Sequence, residues 1–89
     1  MITYEPFWAT MKKKKITKYQ LIYHWGISSN TLRRISHGET INLTTLNELC
    51  LILNCKVSDI IKFEATEDEV KSINERREQI SALKKKPKK

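Results

Sequence analysis

The sequence is poor in the residues that most often announce a function outright. Its 89 residues include two histidines, two cysteines and two glycines. Neither His24 nor His37 has a sequence-near carboxylate arranged to orient it. No glycine-rich phosphate loop and no cluster with metal-ligand spacing is present, so neither catalysis nor a metal or organic cofactor is expected. Cys50 and Cys55 lie among leucines in LCLILNC, with no paired histidines nearby. They read as small buried hydrophobes, a disulfide or zinc site being the lesser alternative. No apolar run approaches the roughly 20 residues of a membrane span. The opening MITYEPFWATMKKKK puts its charges after its apolar residues, against the order of a secretory signal. A soluble, cytoplasmic chain without a membrane partner is the expectation.

The most informative absence is of acid. Between residues 11 and 38 there is no Asp or Glu against seven bases, Lys12, Lys13, Lys14, Lys15, Lys18, Arg33 and Arg34, which together equal the net charge of the whole chain, +7. Residues 64–83 carry six acids against three bases, and residues 84–89, KKKPKK, carry five lysines. The chain is thus basic, then acidic, then basic. A polyanionic partner, nucleic acid before membrane, follows from that distribution. The length allows one small domain with a modest core and an appendage.

What is present reads as helix throughout. Pro6 suits a first helical turn, with Phe7 and Met11 inward, and the lysine run follows as a loop or fraying end. Thr17 and Gln20 form a capping box that starts a second helix, with Leu21 and Trp25 inward, and Gly26 ends it in the left-handed conformation. Ser28 caps a third helix that Gly38 closes. Leu46, Leu49 and Leu53 recur at helical spacing from about Asn42 to a cap at Asn54, and Val57, Ile60, Ile61 and Phe63 suggest a short fifth helix. No strand is predicted. Thr66 and Glu69 make another capping box, opening a helix over 67–84 whose apolar stripe, Val70, Ile73, Ile80 and Leu83, is thin and interrupted by Arg77. Such a helix must lie on the domain, pair with a second copy or fray. The last residues are expected to be disordered. Tyr4, Phe7, Trp8, Tyr19, Tyr23 and Trp25, at helix starts and turns, read as core rather than as base-stacking residues.

On a helical wheel of about 100° per residue, Ser28, Leu32 and Ile35 define the buried side of the third helix. Asn30, Arg34 and His37, flanked by Arg33, lie opposite. Asparagine can pair bidentately with adenine and arginine with guanine, and either can reach a phosphate. Two helices joined by a short glycine turn, the first capped and the second basic, form a helix-turn-helix.

At this point ITKYQLIYHWGISSNTLRRISHG resembles the Cro and phage-repressor type of regulator, the XRE-like family. The resemblance rests on Thr17, Leu21, Gly26, Ile27, Ser28, Leu32, Ile35 and Gly38, and LTTLNELCLILNCKVSDII is similar to that family's fourth and fifth helices. Three positions depart from it: Ile22 where alanine is usual, Lys18 where glutamine is frequent, and Glu39 where relatives often carry a base. The resemblance implies an all-α, five-helix, lambda-repressor-like DNA-binding domain over residues 1–63. Residues 64–84 would add a C-terminal helix for packing or dimerisation, and 85–89 a basic disordered tail.

It also implies a sequence-specific transcriptional regulator, a repressor by preference, that binds double-stranded DNA as a homodimer. The third helix would enter the major groove, with Ser29, Asn30 and Arg34 at base edges. Thr17, Lys18, Arg33 and His37 would meet the phosphate backbone. The alternative is an antitoxin of the same fold, which binds a protein partner as well as its own promoter. Non-specific coating of nucleic acid through the lysines is a third reading.

Overall fold

Pro6 lacks the N–H that a helix start leaves unsatisfied, and the first helix begins around it: α1 spans Glu5–Lys14. In this computed structural model residues 1–84 are described; the tail expected at 85–89 lies outside the described residues. The lysine run departs from expectation. Lys12, Lys13 and Lys14 form the last turn of α1, and Lys15 takes the left-handed conformation (φ 59°) that ends it. Lysine is a good helix former, and cations at a helix C-terminus meet the negative end of its dipole, so the run extends the helix rather than fraying it.

The capping signals behave as read. Thr17 Oγ1 accepts from the Gln20 N–H at 3.2 Å while Gln20 Oε1 accepts from the Thr17 N–H at 2.9 Å, opening α2 (Lys18–Tyr23). Ser28 Oγ accepts from the N–H groups of Asn30 (3.0 Å) and Thr31 (3.4 Å), opening α3 (Ser29–Ser36). Asn42 Oδ1 accepts from the Thr45 N–H at 2.8 Å, opening α4 (Leu43–Leu53), which Asn54 ends at φ 50°. Gly26 and Gly38 have φ of +71° and +70°, the left-handed conformation that a β-carbon resists.

Beyond α4 the fold corrects two expectations. The fifth helix of the domain is a single 3₁₀ turn, Val57–Asp59, closed by Asp59 Oδ2 accepting from the Lys56 N–H at 3.0 Å. The chain then becomes extended, and β2 (Lys62–Phe63) pairs antiparallel with β1 (Ile2–Thr3), Ile2 opposite Phe63 and Thr3 opposite Lys62. Two-residue strands carry no alternation for a sequence to show, and only tertiary pairing creates them. This pairing ties the start of the chain to the end of its first 63 residues.

The core consists of Phe7, Met11, Leu21, Ile27, Leu32, Ile35, Leu46, Leu49, Leu53 and Ile60, drawn from every helix from α1 to α4 and the segments beside them. Each such burial contributes about 1.5–3 kcal/mol. Thr10 joins it as a buried polar residue, and its hydroxyl donates to the Asp59 carbonyl at 2.6 Å, fastening α1 to the 3₁₀ turn. Four inward assignments are overturned. Trp25 is 46% exposed, because α2 stops at Tyr23 and its wheel no longer governs residue 25; Ile27, past the glycine, takes the inward place. Ser28 faces solvent, its hydroxyl committed to the cap. Tyr19 and Tyr23 are exposed and stack on each other, ring centroids 4.6 Å apart. Cys50 and Cys55 are free, half-buried thiols packed against the core, and burial and the adjacent Cys50 push the Cys55 thiol up from its ordinary value.

Helix α5 (Glu67–Lys84) starts on its capping box, Thr66 Oγ1 and the Glu69 N–H 3.1 Å apart and Glu69 Oε1 3.1 Å from the Thr66 N–H. All residues from 63 to 83 are exposed. The molecule measures 59 × 23 × 21 Å. Helix α5 is about 27 Å long; its first turn is held to the start of the chain by Glu69 Oε1, which accepts from the Met1 ammonium at 2.8 Å, and the rest of it extends the long axis. No helix among the described residues is long and apolar enough to cross a membrane.

Candidate nucleic-acid interface

The geometry starts from which side of α3 is held. Ile27, Leu32 and Ile35 are 5%, 4% and 2% exposed and fix the helix to the body, which turns Ser29, Asn30, Arg33, Arg34 and His37 to solvent. Ser28 caps the helix and Gly38 ends it, so the exposed row stands on a short element set at both ends. Four of the expected residues therefore stand on one accessible helix, and His37 caps its end. Thr17 and Lys18 lie at the start of α2, with Thr17 engaged in its capping box.

Two of the expected cations are already positioned. Lys18 Nζ lies 5.0 Å from the centroid of the Trp8 ring, a cation–π contact from α2 to α1. Arg33 Nε donates to Asn30 Oδ1 at 3.0 Å, and one of its terminal N–H groups donates to Glu39 Oε2 at 3.4 Å. His37 is bound back to its own helix, Nδ1 to the Arg33 carbonyl at 2.7 Å. A carbonyl only accepts, so Nδ1 carries the hydrogen.

Arg34 turns to the other flank of α3. It lines an open cleft of about 410 Å³ with Thr31, Thr40, Ile41, Asn42 and Thr45, where the N-terminus of α4 forms the opposite wall. The first turn of α4 contains no acid, so its dipole and the guanidinium make this cleft electropositive.

Sequence reasoning missed Glu39 as a partner of Arg33, and Thr40, Asn42 and Thr45 as neighbours of Arg34. The first acid after the acid-free run was the available signal for Glu39. Nothing in the spacing pointed to the second group, because the turn after Gly38 brings it alongside. Among the described residues no group of three or more His, Cys, Asp or Glu gathers as a metal site.

Comparison with known proteins agrees with this geometry. The model of the Cro/C1-type helix-turn-helix DNA-binding domain matches residues 7–66. Among solved structures, the transcriptional regulator VanUg (Form II) is similar, with a TM-score of 0.63 and 30% identity over 68% of this chain and 81% of that one. No curated protein matches.

Proposed function

The chain belongs to the Cro/C1-type helix-turn-helix DNA-binding family, and from that premise we propose that it is a sequence-specific transcriptional regulator acting as a repressor. In this reading residues 28–37 enter the major groove. Ser29, Asn30 and Arg34 meet base edges, and Thr17, Lys18, Arg33 and His37 hold the phosphate backbone, which positions the protein without carrying sequence information. The observation that carries the reading is the exposed row on α3, polar and basic, on a helix anchored by Leu32 and Ile35.

Residues 1–63 form the DNA-binding unit, and 64–84 bring two copies together. Two α3 helices would then meet half-sites about one DNA turn, roughly 34 Å, apart. Support for the pairing is the uncovered apolar surface of α5 (Val70 45%, Ile73 50%, Ile80 43% and Leu83 76% exposed), continuous through Ala65 with Phe63 and Ile2.

Selection of binding sites from random DNA at a fixed salt concentration tests both parts. A palindromic motif is expected. Asn30→Ala and Arg34→Ala should each cost about 1–3 kcal/mol at one base position; equal weakening on every sequence would leave only non-specific coating. The antitoxin reading is favoured by one feature, the exposed Tyr19, Tyr23 and Trp25, since aromatic residues are enriched in protein interfaces. Co-purification with the product of an adjacent small reading frame would support it, and recovery of DNA alone would count against it.

A further inference from the structure

Arg33 sits between two residues that determine what it can do. Its Nε donates to Asn30 Oδ1 at 3.0 Å, one helical turn back, and a terminal N–H donates to Glu39 Oε2 at 3.4 Å, across the Gly38 turn. Glu39 is itself fixed through its backbone: its N–H donates to the Arg34 carbonyl at 2.8 Å, and its carbonyl accepts from the Tyr4 hydroxyl at 2.6 Å. A chain of contacts therefore runs from Tyr4, at the cap of α1, through Glu39 and Arg33 to Asn30.

The consequence lies in the Asn30 amide. A guanidinium has donors only, so it holds the oxygen of the amide and leaves the NH₂ group as the end available to a partner. Bidentate recognition of adenine needs both ends, the oxygen accepting from N6 and the NH₂ donating to N7. Arg33 takes one of the two lone pairs of that oxygen and turns the oxygen toward itself, so the NH₂ is the end left to face a base. That suits guanine (N7, O6) or thymine (O4), whose acceptors have no neighbouring donor of the kind that adenine N6 sets beside its N7.

The geometry points to Arg33 as a positioning residue that, fastened by Glu39, sets the base preference of Asn30 toward guanine or thymine and away from adenine. The remaining N–H groups of Arg33 stay available to a phosphate. This inference rests on the reading in which α3 meets base edges.

The test is the base preference of the full-length chain, measured as affinities for a selected site with each of the four bases at every position, for wild type, Asn30→Ala, Arg33→Met and Glu39→Gln. Asn30→Ala should flatten the preference at one position, and wild type should favour guanine or thymine there. Arg33→Met frees the amide to rotate, and adenine at that position should gain on the order of tenfold relative to wild type, with Glu39→Gln giving a smaller gain in the same direction. All three side chains are exposed, so thermal midpoints near that of wild type are expected and serve as the folding control.

A wild-type preference for adenine at the position that Asn30→Ala flattens would overturn the inference while leaving base reading intact. So would a uniform loss of affinity in Arg33→Met with the base preference unchanged, which would make Arg33 a phosphate contact alone. If Asn30→Ala alters no position, the base-reading role of Asn30 fails first, and the inference fails with it.

Discussion

Helices α2 and α5 start on the same device, a threonine capping box with a side chain three residues on, and they end in opposite circumstances. The six residues of α2 are far fewer than an isolated helix needs to persist in water. It exists because Leu21 is fully buried and the Gly26 turn returns Ile27 to the same core. The 18 residues of α5 carry acids in the first turn and strong local signals, yet none of those from 67 to 83 is covered. Caps decide where a helix begins, whereas burial decides whether it belongs to the cooperative unit.

That contrast is broken or sharpened most strongly in the core. Leu49 is 0% exposed, and Leu49→Ala should destabilise the chain by about 2–5 kcal/mol in chemical denaturation, through lost transfer energy and the cavity left behind. A loss below 1 kcal/mol would mean that the body is not packed as described. Next is the turn between α2 and α3. A β-carbon at Gly26 would meet nothing within 4 Å, so Gly26→Ala carries a conformational penalty alone, about 1–2 kcal/mol. It should lower the thermal midpoint and weaken DNA binding by no more than the loss of folded protein explains. A much larger loss of binding at full folding would show that the angle between the helices, rather than the stability of the turn, is what the glycine supplies.

The two capping boxes give a direct pairwise test. Thr17→Ala should cost about 1 kcal/mol of global stability. Thr66→Ala removes the same bond from α5 and should reduce helical circular dichroism without moving the main unfolding midpoint. Equal shifts would place α5 inside the cooperative unit and erase the distinction.

The same contrast explains what could be read in advance. Capping boxes, the two glycines, Asn42 and Asn54 act over three or four residues, and all were legible. So was the extent of α5, whose signals are local. The β1–β2 pairing, the shrinkage of the fifth helix to one turn and the outward Trp25 depend on contacts between distant segments or on where a helix stops, and no periodicity encodes them. At the interface, the buried Leu32 and Ile35 fixed the exposed side of α3 from spacing alone. Ser28 was misplaced because the wheel ranks angle and ignores that a cap hydroxyl is turned to the backbone. The Arg33–Glu39 pair spans six residues across a glycine, and the Asn30 amide orientation follows from a neighbour's hydrogen bonds. The first lies beyond one-helix reasoning; the second, a contact three residues apart on α3, lay within the reach of helical spacing, and only its effect on the amide needed the structure.

The smallest expected effect on the fold bears on assembly. Ile73 is half-exposed on α5, so Ile73→Lys should change the unfolding free energy of the monomer by less than about 0.5 kcal/mol, as surface substitutions do. In sedimentation it should act quite differently, since a charge placed in an apolar stripe that pairs with a second copy must be desolvated there or break the pair. Val70, Ile73, Ile80 and Leu83 are exposed on α5, and in the proposed dimer they are the residues that would meet a partner helix. Dimers of the wild type that become monomers with Ile73→Lys, at unchanged monomer stability, would assign the pairing of copies to α5. Dimers that persist would move the contact elsewhere, to the exposed Leu43 or the 3₁₀ turn, and leave α5 without a role in joining half-sites. A chain ending at Ala65 separates these outcomes from a folding defect, because no residue of α5 enters the core. It should unfold at the same midpoint as the full chain, and its DNA affinity should fall by the loss of the second half-site alone.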